Sequence, residues 1–233
     1  LSQPWVHAAE AQHLRVAVLE DVPPMSYRRS DGVLTGFSVA IMRAVCDEMR
    51  FVCTFEPITL DRVIGVLVDG HFDVAAVSLL STPERQRQII FAKPHFRSVS
   101  LWFARPGVQP GQAGIRVAVL RDSAQALFAV KKGWETVTVQ RSADLIEPLR
   151  VGLAQAAIIP MSTAMGLMKR DDFQGLALTQ TVMKETELGG DVSFGISPHR
   201  PDLKPRIDVA LDRIKRNGVY DRINSQFLPF RVN

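Results

Sequence analysis

The sequence predicts an α/β protein built as a two-lobe clamshell, each lobe a mostly parallel sheet flanked by helices, joined by two crossover hinge segments. Three observations predict this. Apolar strand-like runs alternate with helix-like stretches in βαβαβ order. The run RVAVL at residues 15–19 returns within IRVAVL at 115–120, which marks a second unit of similar construction. The helical tail is too long for that second unit alone, so it is expected to complete the first, and the chain then crosses between lobes twice. The expected division is 1–97 with 192–233 for one lobe and 98–191 for the other.

The elements follow in order. Residues 14–19 (LRVAVL) read as a strand, ended by a turn at Pro23 and Pro24. Asp31 and Gly32 mark a tight turn. Phe37, Ile41, Val45 and Met49 recur every fourth residue, one face of an amphipathic helix. A second strand covers 51–55, and a second helix covers 60–68, stopped by Asp69 and Gly70. Residues 72–80 are apolar and rich in branched side chains, a buried third strand. In the second unit, 115–120 is a strand and a helix capped at Asp122 or Ser123 runs to Val130. A strand at 137–139, a helix at 143–151 and a buried strand at 154–159, ending at Pro160, complete the pattern. After an irregular stretch, VSFGIS reads as a strand. Residues 205–217 form a helix with Ile207, Leu211 and Ile214 on one face and Gly218 just past its end. A short helix closes near Phe227.

The third strand runs straight into a helix start. Thr82 can cap it, Pro83 suits its first position, and Arg85 falls in its first turn. Free backbone N–H groups and the guanidinium then face one place, which attracts an anion, most simply a carboxylate. Ligands of open α/β sheets bind beyond the carboxyl ends of the strands. Residues 78–85 and 121–123 lie at such ends, so a cleft between two helix starts is the predicted site.

Composition narrows the function. At 233 residues, 46% hydrophobic and 22% charged, the chain has ample material for a core. The net charge of +4 is scattered, without a basic, aromatic-rich patch, which argues against nucleic acid. No apolar run approaches the roughly 20 residues of a membrane span. Residues 1–11 (LSQPWVHAAEA) end in small residues, a hint of an export-signal tail. Cys46 and Cys53 are placed for a disulfide or for two buried thiols, and the pair mildly favours an oxidising compartment. No histidine or third cysteine stands at metal-ligand spacing, and no cofactor motif is present. The elbow G-x-S-x-G, H-E-x-x-H, the P-loop and the dinucleotide fingerprint are all missing. The histidines are isolated, and His95, near an inter-lobe crossing, is expected to be structural. The expectation is a binding protein rather than an enzyme.

From Leu14 to Phe227 the chain resembles the type II periplasmic solute-binding proteins for polar amino acids, particularly the histidine- and lysine/arginine/ornithine-binding group. The carriers are LRVAV, VPPMSY, GVLTGFSVAIMRAVC, FDVAAVSLLSTPERQRQIIFAKPHF, IRVAVLRDS and LDRIKRNGVYDRINSQF. The resemblance implies a disulfide between Cys46 and Cys53, a periplasmic location and an ABC permease as partner. It implies that Arg85 pairs with a ligand carboxylate, that Ser78 supplies hydrogen bonds and that Leu60 packs on the ligand side chain. Ser123 and Gln125 would join from the second lobe on closure. The departures are Val22 where an aromatic covers the ligand, Leu80 for a hydroxyl, Asp122 for a glycine, and Pro160 for the acid that pairs with the ligand ammonium. Val22 and Asp122 are kept as site residues, and Glu20, Asp21 or Asp122 are candidate replacement acids. The anion half of an amino-acid site is retained and the ammonium half is lost.

The expected function is therefore a solute-binding protein closing on a small amino-acid-like or carboxylate ligand for an ABC-type importer. The alternative is the same module as the extracytoplasmic sensor of a membrane signalling protein, since FLPFRVN continues past the last helix. A remoter alternative is a cyclohexadienyl dehydratase-like enzyme, for which Glu20, Asp21 and Asp122 are the only acids available.

Overall fold

The computed structural model describes residues 12–232, so the export hint at 1–11 lies outside the described residues. The chain begins with β1 (His13–Leu19), the short pair β2 (Tyr27–Arg28) and β3 (Leu34–Thr35), then α1 (Phe37–Met49) and β4 (Val52–Ile58). A 3-10 turn (Leu60–Arg62) leads into α2 (Val63–Val68), followed by β5 (Val74–Leu80), α3 (Pro83–Gln86), β6 (Ile90–Phe91), β7 (Phe96–Ser98) and β8 (Ser100–Ala104). Next come β9 (Arg116–Leu120), α4 (Ala124–Lys131), β10 (Glu135–Val139), α5 (Ile146–Arg150), β11 (Ala156–Pro160), α6 (Met161–Leu167) and α7 (Asp171–Gln174). The chain ends with β12 (Thr179–Val182), β13 (Gly190–Ile196), α8 (Leu203–Arg216) and α9 (Val219–Phe227).

Two sheets share one plan. β1 lies between β4 and β5, parallel to both, and β13 joins β5 antiparallel with β6 and β7 beyond it. β9 lies between β10 and β11, parallel to both, and β8 joins β11 antiparallel with β12 beyond it. Three parallel strands thus carry each lobe, and the antiparallel fourth strand arrives from a chain crossing. The repeated RVAVL is the middle strand of both.

The likeness of the two units goes deeper than five letters. The Asp73 carboxylate accepts from the Arg15 backbone N–H at 2.8 Å, and the Gln155 amide oxygen accepts from the Arg116 N–H at 2.8 Å. Each middle strand is therefore pinned at its start by a side chain that precedes its neighbour strand. Asp73, buried, also pairs with Arg15 and Arg200. The residues just past the two middle strands match as well: Asp21 and Asp122 both hold positive φ, 60° and 56°.

Continuous apolar runs form these strands because both faces are covered. In β5, Val74 and Ala76 belong to one apolar cluster and Ala75, Val77 and Leu79 to the cluster on the opposite face. In β9, Ala118 and Leu120 divide in the same way from Val117 and Val119. The four-residue spacing of α1 buries Phe37, Ile41 and Val45 completely, and α1 packs against α8 and α9. Gly36 starts α1 at φ 121°, where a Cβ would stand 2.4 Å from the Met25 carbonyl oxygen, so only glycine fits. Cys46 in α1 and Cys53 in β4 form a disulfide across 6.3 Å between Cα atoms. No described helix is long and apolar enough to cross a membrane.

The structure adds elements that periodicity does not predict. The five residues of β8 are all buried, so they carry no alternation to read. The seven residues of α6 bury Ser162 and Thr163 along with its apolar side chains, which hides an amphipathic stripe.

Candidate functional site

The last residues of four parallel strands converge between the lobes. Leu19 of β1, Leu80 of β5, Leu120 of β9 and Pro160 of β11 all line one cavity of about 60 Å³. A single water needs about 10–15 Å³ by the same measure, so the space suits a small solute. Six of the predicted site residues line it: Val22, Leu60, Ser78, Arg85, Ser123 and Gln125.

Arg85 is placed by its helix start. Thr82 caps α3, its Oγ1 accepting from the Arg85 N–H at 3.4 Å, and Pro83 occupies the first position. The guanidinium then donates through Nη1 to the Leu80 carbonyl and through Nη2 to the Asp122 carbonyl, each at 3.1 Å. These bonds use two of its five N–H donors, leaving three to meet a carboxylate. Arg85 makes no salt bridge among the described residues. Burial pushes its pKa down, opposed by the negative charges of Asp122 and Glu84. A half-buried cation without an anionic partner is a binding group in search of one.

Asp122 takes a different place from the one expected. It does not line the cavity; its backbone carbonyl, held at positive φ, is what meets Arg85 across the cleft. Ser123 next to it caps α4, its Oγ accepting from the Ala126 N–H at 3.0 Å, which leaves its own proton to donate. Gln125 is tied away, its Nε2 donating to Ser100 Oγ at 2.8 Å. Ser78 Oγ lies 3.4 Å from Ser38 Oγ. Val22 sits in the turn that holds the cis peptide between Pro23 and Pro24.

Sequence reasoning missed Ser26, Ser38, Ser98, Ser162 and Thr163, which also line the cavity. Ser162 and Thr163 follow the end of β11, so the strand-end rule that found Ser78 and Ser123 was the available signal. With Ser78 and Ser123, seven hydroxyls surround one guanidinium, and no acidic side chain among the described residues lines the space. Glu20 and Asp21 line a neighbouring groove of about 400 Å³, which shares Leu19, Val22, Leu60 and Leu120 with the cavity. There Glu20 pairs with Arg28 at 2.8 Å. A third inter-lobe space of about 590 Å³, lined by Glu84, Lys131, Glu187 and Asp191, carries more acid than base and offers an anion nothing comparable. His95 faces none of these spaces and lies in the core of the first lobe.

The lobes touch closely. Lys131 pairs with Glu84 at 3.3 Å, and Met165 of α6 joins the apolar cluster of the first lobe. At Gly166 the approach is tightest, since a Cβ there would lie 2.2 Å from the Pro23 carbonyl oxygen.

Comparison with known proteins agrees with this architecture. The L-arginine-binding protein of Pseudomonas aeruginosa is 24% identical over 230 residues, 94% of this chain and 89% of that protein. The histidine-binding periplasmic protein of Salmonella typhimurium is 25% identical over 236 residues, 97% of this chain and 91% of that protein. Among solved structures, an ancestral arginine-binding protein bound to arginine superposes with a TM-score of 0.80 at 22% identity, covering 92% of this chain and 97% of that one. An ancestral amino acid-binding protein described as a precursor of cyclohexadienyl dehydratase gives 0.77 at 22%, covering 93% and 95%. These structures share the fold. The family model of bacterial extracellular solute-binding proteins, family 3, matches residues 14–230. Two pseudo-repeated lobes meeting at a strand-end cavity, and a family pattern running nearly end to end, place the chain in that family: it is a bacterial extracellular solute-binding protein of family 3.

Proposed function

We propose that this protein captures a small carboxylate-bearing solute between its lobes in the periplasm and delivers it to an ABC-type importer. One observation carries the reading: Arg85, half-buried and with three N–H donors unspent, is the only charged side chain among the described residues lining the cavity. The carboxylate would take a bidentate hold on Arg85, with Ser78 from the first lobe and Ser123 from the second completing its hydrogen bonds. Because Ser123 lies on the far lobe, its bond exists only when the lobes meet, and contacts of that kind are what favour closure.

The lobe division 1–97 with 192–233 and 98–191 belongs to this proposal. The pairing of Gly190, Asp191 and Val192 in β13 with β7 supports crossings close to these bounds, though it favours Ser98, Gly190 and Asp191 as part of the first lobe. Two Escherichia coli relatives that are named as ABC transporter arginine-binding proteins favour transport over the sensor reading. The acids a dehydratase would draw on, Glu20, Asp21 and Asp122, stand outside the cavity lining, which supports binding rather than catalysis.

The test is a thermal-shift and calorimetric screen of small carboxylates against wild type and Arg85→Ala. A stabilising carboxylate is expected, with its affinity lowered at least about 100-fold by the substitution, the range for losing a buried charge-assisted pair. Undiminished binding to Arg85→Ala would refute the clamp.

A further inference from the structure

We propose that the solute is a small carboxylate bearing a 2-oxo or 2-hydroxy group rather than an α-amino acid; this rests on the carboxylate reading above and specifies its substrate class. Charge is the first reason. A carboxylate on Arg85 neutralises the only ionic side chain among the described residues lining the cavity, so an α-ammonium beside it would enter with no counter-charge. Glu20 and Asp21 line the neighbouring groove rather than this cavity, and Glu20 is already paired with Arg28.

Hydrogen bonding is the second reason. Ser162 and Thr163 have no side-chain hydrogen bond to another described residue, and Ser123 Oγ accepts one bond but retains its proton. These hydroxyls can donate to a carbonyl or hydroxyl oxygen or accept from an ammonium, but being neutral they satisfy an oxo or hydroxy group fully while leaving an ammonium without a counter-charge. The third reason is size. At about 60 Å³ the cavity holds roughly four to six water-sized groups, the bulk of a short 2-oxo or 2-hydroxy acid. Pro160 closes this side with an apolar ring and contributes no N–H or charge.

The experiment is calorimetric titration with matched sets on one carbon skeleton: pyruvate, L-lactate, D-lactate and L-alanine, then the 2-oxo, 2-hydroxy and 2-amino acids of the four- and five-carbon series, with sulfate and phosphate as further arms. The expected result is binding of an oxo or hydroxy acid at least about tenfold tighter than its amino counterpart. Equal or tighter binding of the amino acid overturns this inference and leaves the Arg85 clamp standing. Binding of sulfate or phosphate alone overturns it as well. Absence of binding by every carboxylate overturns both the inference and the reading beneath it. Pro160→Asp supplies an independent arm. Pro160 is the N-cap of α6, a position where aspartate is favoured, so the helix start tolerates it. The variant is expected to gain affinity for the amino acid and lose it for the oxo acid; an unchanged ratio would refute the charge argument.

Discussion

His95 is wholly buried, its ring stacked at 4.1 Å on Phe194, and neither ring nitrogen has a hydrogen-bond partner among the described residues. Burial, with a smaller push from Lys215, drives its pKa down to about 3. Below about pH 6.5 the unfolded chain takes up this proton while the native protein refuses it until about pH 3. Stability from this group is therefore full above pH 6.5 and drains away on acidification, by up to about 1.4 kcal/mol per pH unit. His95→Leu should flatten the acid limb of a denaturant-midpoint profile between those values, and an unaltered slope would count against it. Side chains differed in how plainly the sequence announced them. Arg85 was legible because cap, proline and arginine stand together in one short motif. Ser26 and Ser38 were not, since a serine on a buried face looks like any small core residue until the opposite lobe is in place.

At the scale of elements, the disulfide joins the C-terminal part of α1 to the strand that follows it. Cys46 and Cys53 are seven residues apart, and closing so short a loop stabilises by about 2–3 kcal/mol on the chain-entropy account. The paired Cys46→Ser, Cys53→Ser variant should lose about that much in urea unfolding, while its affinity for ligand stays near wild type because neither cysteine lines the cavity. A loss confined to affinity would contradict this. The main parallel strands and the long helices were readable, since each carries either a two-sided apolar run or a clear stripe. The antiparallel strands were harder. Both β8 and β12 owe their state to partners far along the chain: β8 to β11, and β12 to β8. Local pattern cannot express such a debt.

For the whole molecule, the contact of α6 with the Pro23 turn makes closure a matter of one methyl group. Gly166→Ala should favour the helix itself by about 0.5–1 kcal/mol. Yet its Cβ would collide with the Pro23 carbonyl oxygen whenever the lobes meet as they do here. The expected variant is as stable as wild type, more extended in small-angle scattering and weaker in ligand affinity, about tenfold if its closed fraction falls tenfold. Unchanged dimensions and affinity would show that the turn yields instead. The two-lobe plan was visible in the repeated RVAVL and the surplus tail, whereas the depth of the seam was not, because it depends on surfaces brought together from opposite halves of the chain. The route of the chain also sets an order of assembly. The second sheet draws its strands from Ser100 through Val182, an unbroken stretch, while the first needs β13, at Gly190–Ile196, to cover β5. As the polypeptide emerges N-terminus first into the compartment where it folds, the lobe begun first is thus the last to be finished. Until residue 196 appears, the apolar β5 keeps a bare edge, a template for pairing with the wrong chain.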